Sequence, residues 1–196
     1  MSKVAGIMLT LNEEPRLEGW LKHHKPHLDW LYVVDGGSTD KTQDILKAHE
    51  VEFDVDKSKN IGDVKNAAWN KLPKDIDWVM FLDADEKFDG GFLERMKIQI
   101  SEAEKKGVKM FRFPRVNLPD GKNWPDYQVR LVKNDPNFRW HGEVHEIMMY
   151  KIMRGDEEFY IKADQLDVDT DIGVSTVLIA PIVHLERRKD IRRNWW

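Results

Sequence analysis

Asp83 and Asp85 stand one residue apart at the end of the apolar run Trp78-Val79-Met80-Phe81-Leu82. Two carboxylates at the end of a buried segment need a counter-charge. A divalent cation that also carries phosphate oxygens is the simplest one, because magnesium and manganese take all-oxygen coordination and accept phosphate partners. A surface turn that happens to hold two acids is the competing reading, and the pair alone does not separate them. Further reactive side chains gather in Gly142-Glu143-Val144-His145-Glu146, in Trp124-Pro125-Asp126 and at His184. Carboxylates there could take a proton from an attacking hydroxyl. Flat indole rings at Trp124 and Trp140 could stack on a ligand, and buried core tryptophan is the alternative for both.

The elements that must position these groups follow from the apolar pattern. Val4 to Leu9, Leu31 to Val34, Val51 to Val55 and the run ending at Asp83 read as strands. Helices come between them. The first has Pro15 in its first turn, with Leu17, Trp20 and Leu21 at helical spacing. In the second, Asp40 is expected to cap the helix that carries Ile45 and Leu46. The third opens at Asn60-Ile61-Gly62, and the fourth runs from Leu93 to Ile100. Alternating strands and helices predict a parallel sheet with helices on its faces, and ligands at the carboxyl ends of its strands. After Gly107 the pattern changes to strands and loops: Met110 to Pro114, Gln128 to Val132, Arg139 to Val144 and Val177 to Val183. A single domain, residues 1–196, is expected, in two halves of 1–106 and 107–196.

The chain has 196 residues, of which 41% are hydrophobic and 34% charged, which suffices for one packed domain. Its net charge of -4 argues against a general nucleic-acid binder. It has no cysteine, so disulfides and thiolate metal sites are excluded. No apolar stretch approaches the ~20 residues of a membrane span, and a soluble cytoplasmic protein is expected. The tail Arg187 to Trp196 is basic and ends in two tryptophans. It suits peripheral contact with a lipid headgroup surface; a domain cut from a longer chain is the other reading. No Gly-x-Gly-x-x-Gly or P-loop spacing occurs. His145-Glu146 lacks the second histidine of a zinc protease, and Asp167 to Asp171 lacks the glycine of a calcium loop.

Leu11-Asn12-Glu13-Glu14, Val34-Asp35-Gly36-Gly37-Ser38-Thr39-Asp40, Asn60-Ile61-Gly62 with Lys65 and Asn66, and Phe81-Leu82-Asp83-Ala84-Asp85-Glu86 follow one another in that order. With Arg130-Leu131 and Gly142 to Glu146, the set resembles the family 2 glycosyltransferases of GT-A fold, in particular small bacterial or viral sugar transferases of the lipopolysaccharide-core type. The resemblance implies an α/β fold with a mostly parallel, Rossmann-like central sheet flanked by helices. A smaller β-rich region would lie on the acceptor side. It implies metal-dependent, inverting transfer of a hexosyl or deoxyhexosyl group from a nucleotide-diphosphate sugar to a hydroxyl of a glycan or glycolipid. Thr10, Asn12, Glu14, Asp35, Lys65, Asp83 and Ala84 would line the nucleotide sugar. Asp85 would be the first ligand of Mn2+ or Mg2+, with Asp83, His145 and His184 as further candidates. The catalytic base would be Glu146, with Asp126 and Glu143 as alternatives. A sugar nucleotidyltransferase is the rival enzyme class, but its glycine-rich basic loop is replaced here by acidic Asn12-Glu13-Glu14. A non-catalytic carbohydrate- or nucleotide-binding module on a decayed fold is the third reading, and the intact aspartate pair argues against it.

Overall fold

The computed structural model describes residues 1–117, 127–143, 145–163, 175–178 and 182–184, with the backbone alone at 115–117, 175–178 and 182–184. In chain order, β1 is Val4–Thr10, α1 Glu14–His24, β2 Trp30–Asp35, α2 Thr42–Ala48, β3 Glu52–Val55, α3 Ile61–Trp69, β4 Trp78–Asp83, β5 Glu86–Phe88 and α4 Gly90–Glu104. Then come β6 Val108–Asn117, β7 Tyr127–Lys133, β8 Phe138–His141, β9 Ile147–Arg154, β10 Glu157–Lys162, β11 Ser175–Leu178 and β12 Ile182–His184.

Nine strands form the main sheet, in the order β3-β2-β1-β4-β7-β6-β12-β5, with β11 also paired to β6. From β3 to β4 the strands are parallel. β7 enters antiparallel between β4 and β6. The chain builds outward from β1 through β2 to β3, then returns to place β4 on the other side of β1. That reversal is the position where open α/β sheets form a ligand crevice, at the carboxyl ends of the strands. Leu9 is in register with Asp83 across it, and Thr10 with Asp35 on the other flank.

Every residue of β4 from Trp78 to Leu82 is buried, because both faces of the sheet are covered. Trp78, Met80 and Leu82 pack on one face with Leu17, Trp20 and Leu21 of α1, Leu46 of α2 and Met96 and Ile100 of α4. Val79 and Phe81 pack on the other with Val64, Ala68 and Trp69 of α3. The three-stranded antiparallel sheet β8-β9-β10 completes this second layer through Phe138, Trp140, Met148 and Tyr150. The second face is therefore covered by one helix and a small sheet, the smaller β-rich region that the sequence led one to expect beside the flanking helices. Among the described residues, no helix is long and apolar enough to cross a membrane.

Local departures have physical reasons. Lys41, not Asp40, occupies the position before α2; Asp40 nevertheless accepts the Thr42 backbone N–H at 3.0 Å. The strand read from Arg139 stops at His141, where Gly142 turns at φ 106. The segment read as Val177 to Val183 contributes two strands to one edge of β6. Three strands had no counterpart in the sequence reading: β5, β9 and β10.

β5 matters because it follows Asp85 directly, and a buried histidine ties it to α1. The His24 ring accepts the Phe88 backbone N–H on Nε2 at 3.3 Å, so its proton sits on Nδ1 and is donated to the Trp20 carbonyl at 2.9 Å. Burial lowers its pKa to about 3. The unfolded chain takes up this proton near pH 6.5 and the folded chain does not, so stability is lost as pH falls below 6.5. Denaturant titrations should show the parent losing about 2 kcal/mol between pH 7 and 5 relative to His24→Gln. Parallel pH dependences of the two proteins would contradict a neutral His24.

Candidate active site

The loops after β1 and β2 are locked together by short polar side chains. The Asp35 carboxylate, fully buried, accepts the backbone N–H groups of Gly37 (3.1 Å) and Ser38 (2.9 Å), Gln43 Nε2 (2.7 Å) and the Ser38 hydroxyl. Three of these donors meet Oδ2 and one meets Oδ1, so Asp35 forms the turn, which passes through Gly37 at φ 93, while Oδ1 keeps an acceptor position. Ser38 Oγ in turn accepts the Asn12 N–H at 2.8 Å. Asn12, at φ 55, accepts the Thr39 N–H on Oδ1 at 2.8 Å. Glu14 and Asp40 cross-connect the same loops: Asp40 Oδ2 accepts the Glu14 N–H, and Glu14 Oε2 accepts the Lys41 N–H. Thr10 is buried at the end of β1, and its Oγ1 has no hydrogen-bond partner among the described residues.

Acidic charge concentrates at the end of β4. Asp85 lies in the turn between β4 and β5, next to buried Ala84. Burial raises the Glu13 pKa; Arg16, at 3.0 Å, offsets part of this, and the charges of Asp85 and Asp40 add to the rise. Glu13 and Asp85 follow β1 and β4, the two strands in register at the reversal. On the other side of Asp83 stands Arg130 of β7. Its Nη2 donates to Asp83 Oδ2 at 2.7 Å and to Glu86 Oε1 at 2.5 Å. Burial opposes the charge of Arg130, but Asp83 and Glu86 outweigh it and hold its pKa above the usual value. Burial, opposed by Arg130, pushes the Glu86 carboxyl up to about 7.

A third group arrives from α3. Asn60 caps this helix by accepting the Asp63 N–H at 3.1 Å. The Ile61 and Gly62 N–H groups donate to the carbonyls of Glu143 and Gly142. A Cβ on Gly62 would lie 2.7 Å from the Gly142 carbonyl oxygen, so only glycine permits this approach. Asn66 fixes the same segment through both its amide groups to the Trp140 backbone, at 2.8 and 3.0 Å. So docked, Lys65 is buried and donates to Glu146 Oε1 at 2.5 Å, with its ammonium 4.3 Å from the centre of the Trp140 ring. The charge of Glu146 also contributes to the raised pKa of Arg130, which joins this pair to the acidic cluster.

The structure thus brings Thr10, Asn12, Glu14, Asp35, Asp83, Ala84 and Asp85 to one end of the sheet, with Lys65 and Glu146 linked to them through Arg130. Trp140 is buried, edge-to-face with Phe81 at 5.0 Å. Glu143 and His145 are exposed, His145 at φ 55. His184 is in backbone register with Glu86. Trp124 and Asp126 lie outside the described residues. Glu13, Glu86 and Arg130 were given no role by the sequence reading. All three stand in the motifs that carry the resemblance, which was an available signal; what the sequence did not show is that Arg130 meets Asp83 across 47 positions.

A divalent cation fits the crevice chemically. The donors that the crevice offers are carboxylate oxygens, with Asp83 and Asp85 on either side of Ala84 at the end of β4. Among the described residues, no three His, Asp or Glu side chains converge as a ready-made cage. Magnesium-type sites commonly use one or two carboxylates and leave the rest to waters and phosphates.

The sequence profile of Glycosyl transferase family 2 matches residues 7–163. No curated protein matches the chain by sequence. Among solved structures, glucosyl-3-phosphoglycerate synthase from Mycobacterium tuberculosis, in complex with Mn2+, UDP and glucosyl-3-phosphoglycerate, superposes with a TM-score of 0.63. It is 15% identical, over 98% of this chain and 75% of that one. Mannosyl-3-phosphoglycerate synthase from Rubrobacter xylanophilus gives 0.63 at 15% identity, over 99% of this chain and 70% of that one. S. aureus TarS 1-349 gives 0.50 at 20% identity, over 63% of this chain. The chain spans only 38% of that TarS chain. These likenesses are of fold, the α/β arrangement of GT-A structures.

Proposed function

The chain belongs to glycosyl transferase family 2, and from that membership we propose that it transfers a hexosyl or deoxyhexosyl group from a nucleotide-diphosphate sugar to a hydroxyl acceptor, with inversion at the anomeric carbon. One observation supports the reading: Asp83 and Asp85 stand at the end of β4, at the β1/β4 reversal, where Arg130 holds Asp83 together with Glu86.

The nucleoside lies against the loop that Asp35, Ser38 and Asn12 hold rigid. Asp83, oriented by Arg130, offers an oxygen to the ribose. Asp85 would hold the divalent cation, with Asp83, His145 or His184 as the candidates to complete the site. Bound there, Mn2+ or Mg2+ neutralises the charge that develops on the departing diphosphate. Glu146 receives the proton of the acceptor hydroxyl as that hydroxyl attacks. Lys65 holds one of its oxygens, Oε1, and leaves Oε2 to the acceptor. Glu143 and Asp126 are the alternative bases. Trp124, and any exposed edge of Trp140, would contact the sugar. The acceptor is a glycan or glycolipid hydroxyl.

A panel of nucleotide-diphosphate sugars, each with Mn2+ and with chelator, should contain at least one member that raises the melting temperature only when metal is present. Absence of stabilisation by every member, with and without metal, would overturn the proposal.

A further inference from the structure

β10 is the outer strand of the small sheet, and among the described residues nothing pairs with its free side. Of its six residues only Ile161 is even partly covered; Phe159 is 39% and Tyr160 46% exposed. An edge strand of this kind presents unpaired N–H and C=O groups at every second residue, a template for another strand. Two exposed aromatic rings on it are a liability unless something meets them.

The strand's own sequence is complementary to itself. When two identical antiparallel strands pair about a two-fold axis, one residue faces its own copy and residues equally far on either side face each other. With Tyr160 on the axis, Glu158 faces Lys162 of the second copy, twice over. On the opposite face of the ribbon Phe159 meets Ile161, again twice. Opposite charges and aromatic–aliphatic pairs are the favourable cross-strand combinations. Moving the axis to Phe159 sets Glu158 against Tyr160 and Glu157 against Ile161, so Glu158 loses its counter-charge and Glu157 gains none. Glu158 and Lys162 are both exposed in the single chain; Glu158 also pairs with Lys151 of β9 at 3.1 Å, an exposed ion pair that Lys162 of the second copy would extend.

From this complementarity we infer that β10 pairs antiparallel with β10 of a second copy, centred on Tyr160, so that two three-stranded sheets join into one of six strands. β10 contributes no residue to the site described above, so each copy keeps a complete site. Six-residue ribbons make small interfaces compared with the roughly 1,200–2,000 Å² of stable complexes, so the dimer dissociates on dilution.

Sedimentation velocity of the 196-residue chain over the micromolar range tests this. The parent should shift from monomer to dimer with concentration. Glu158→Lys alone and Lys162→Glu alone each set like charges opposite one another and should abolish the dimer, with circular dichroism unchanged. The double swap should restore it. Mixing the two single variants should also give a dimer, because one supplies two lysines and the other two glutamates. A parent that stays monomeric throughout, or single variants that dimerise as well as the parent, would overturn the inference.

Discussion

Glu146→Gln should lower turnover by about 10²–10⁴-fold, the usual contribution of a positioned general base, while leaving nucleotide-sugar affinity nearly unchanged. Glutamine keeps the shape and still accepts from Lys65, which donates to Glu146 at 2.5 Å in the parent. It cannot receive the acceptor's proton. Asp126→Asn and Glu143→Gln serve as controls under the same assay. Full turnover in Glu146→Gln, together with loss in one control, would move the base to that control. A product that retains the donor's anomeric configuration would contradict single displacement itself.

Arg130→Met should cost about 3–5 kcal/mol of stability, the range for removing one partner of a buried ion pair. The guanidinium is buried and serves both Asp83 and Glu86 through Nη2. Without it Glu86 has no counter-charge and favours its protonated form. Burial already raises the Glu86 pKa to about 7 in the parent, from 4.5. A carboxyl raised in the folded state binds its proton more tightly folded than unfolded, so its contribution to stability falls as pH rises through that window. The loss in Arg130→Met should therefore be larger at pH 8 than at pH 5, and Glu86→Gln in that background should recover part of it at pH 8. Urea titrations of the three proteins at both pH values measure this. A pH-independent loss, untouched by Glu86→Gln, would show that Arg130 acts by packing alone.

The parts of the fold that were legible from sequence are those whose residues report their own surroundings. Trp78 to Leu82 is apolar on both sides of the strand because both faces of the sheet are covered, and that needs no knowledge of the partners. Asn60-Ile61-Gly62 starts α3 because its cap is three residues from the N–H it accepts. The hairpin β9–β10 could have been read: Gly155-Asp156 is a two-residue turn between runs rich in Ile, Met, Phe and Tyr. The contacts that connect the site were not legible. Lys65 meets Glu146 across 81 positions, and Arg130 meets Glu86 across 44. The first depends on α3 docking against the end of β8 and the second on β7 entering the sheet beside β4, and neither hydrophobic period nor local spacing encodes which element lies next to which. Asp35 shows the limit in another way. Its position at a strand end suited either a nucleotide contact or a turn former, and only the count of donors around its carboxylate reveals how fully the turn engages it.

The central claim is that the acidic pair after β4 holds a divalent cation against a nucleotide diphosphate. Titration calorimetry of a nucleoside diphosphate into the parent, with Mn2+ and then with chelator, tests it most directly, with Asp85→Asn measured alongside. The account predicts binding that is much tighter with metal in the parent, and no such difference in Asp85→Asn. Equal affinity with and without metal in the parent would contradict it.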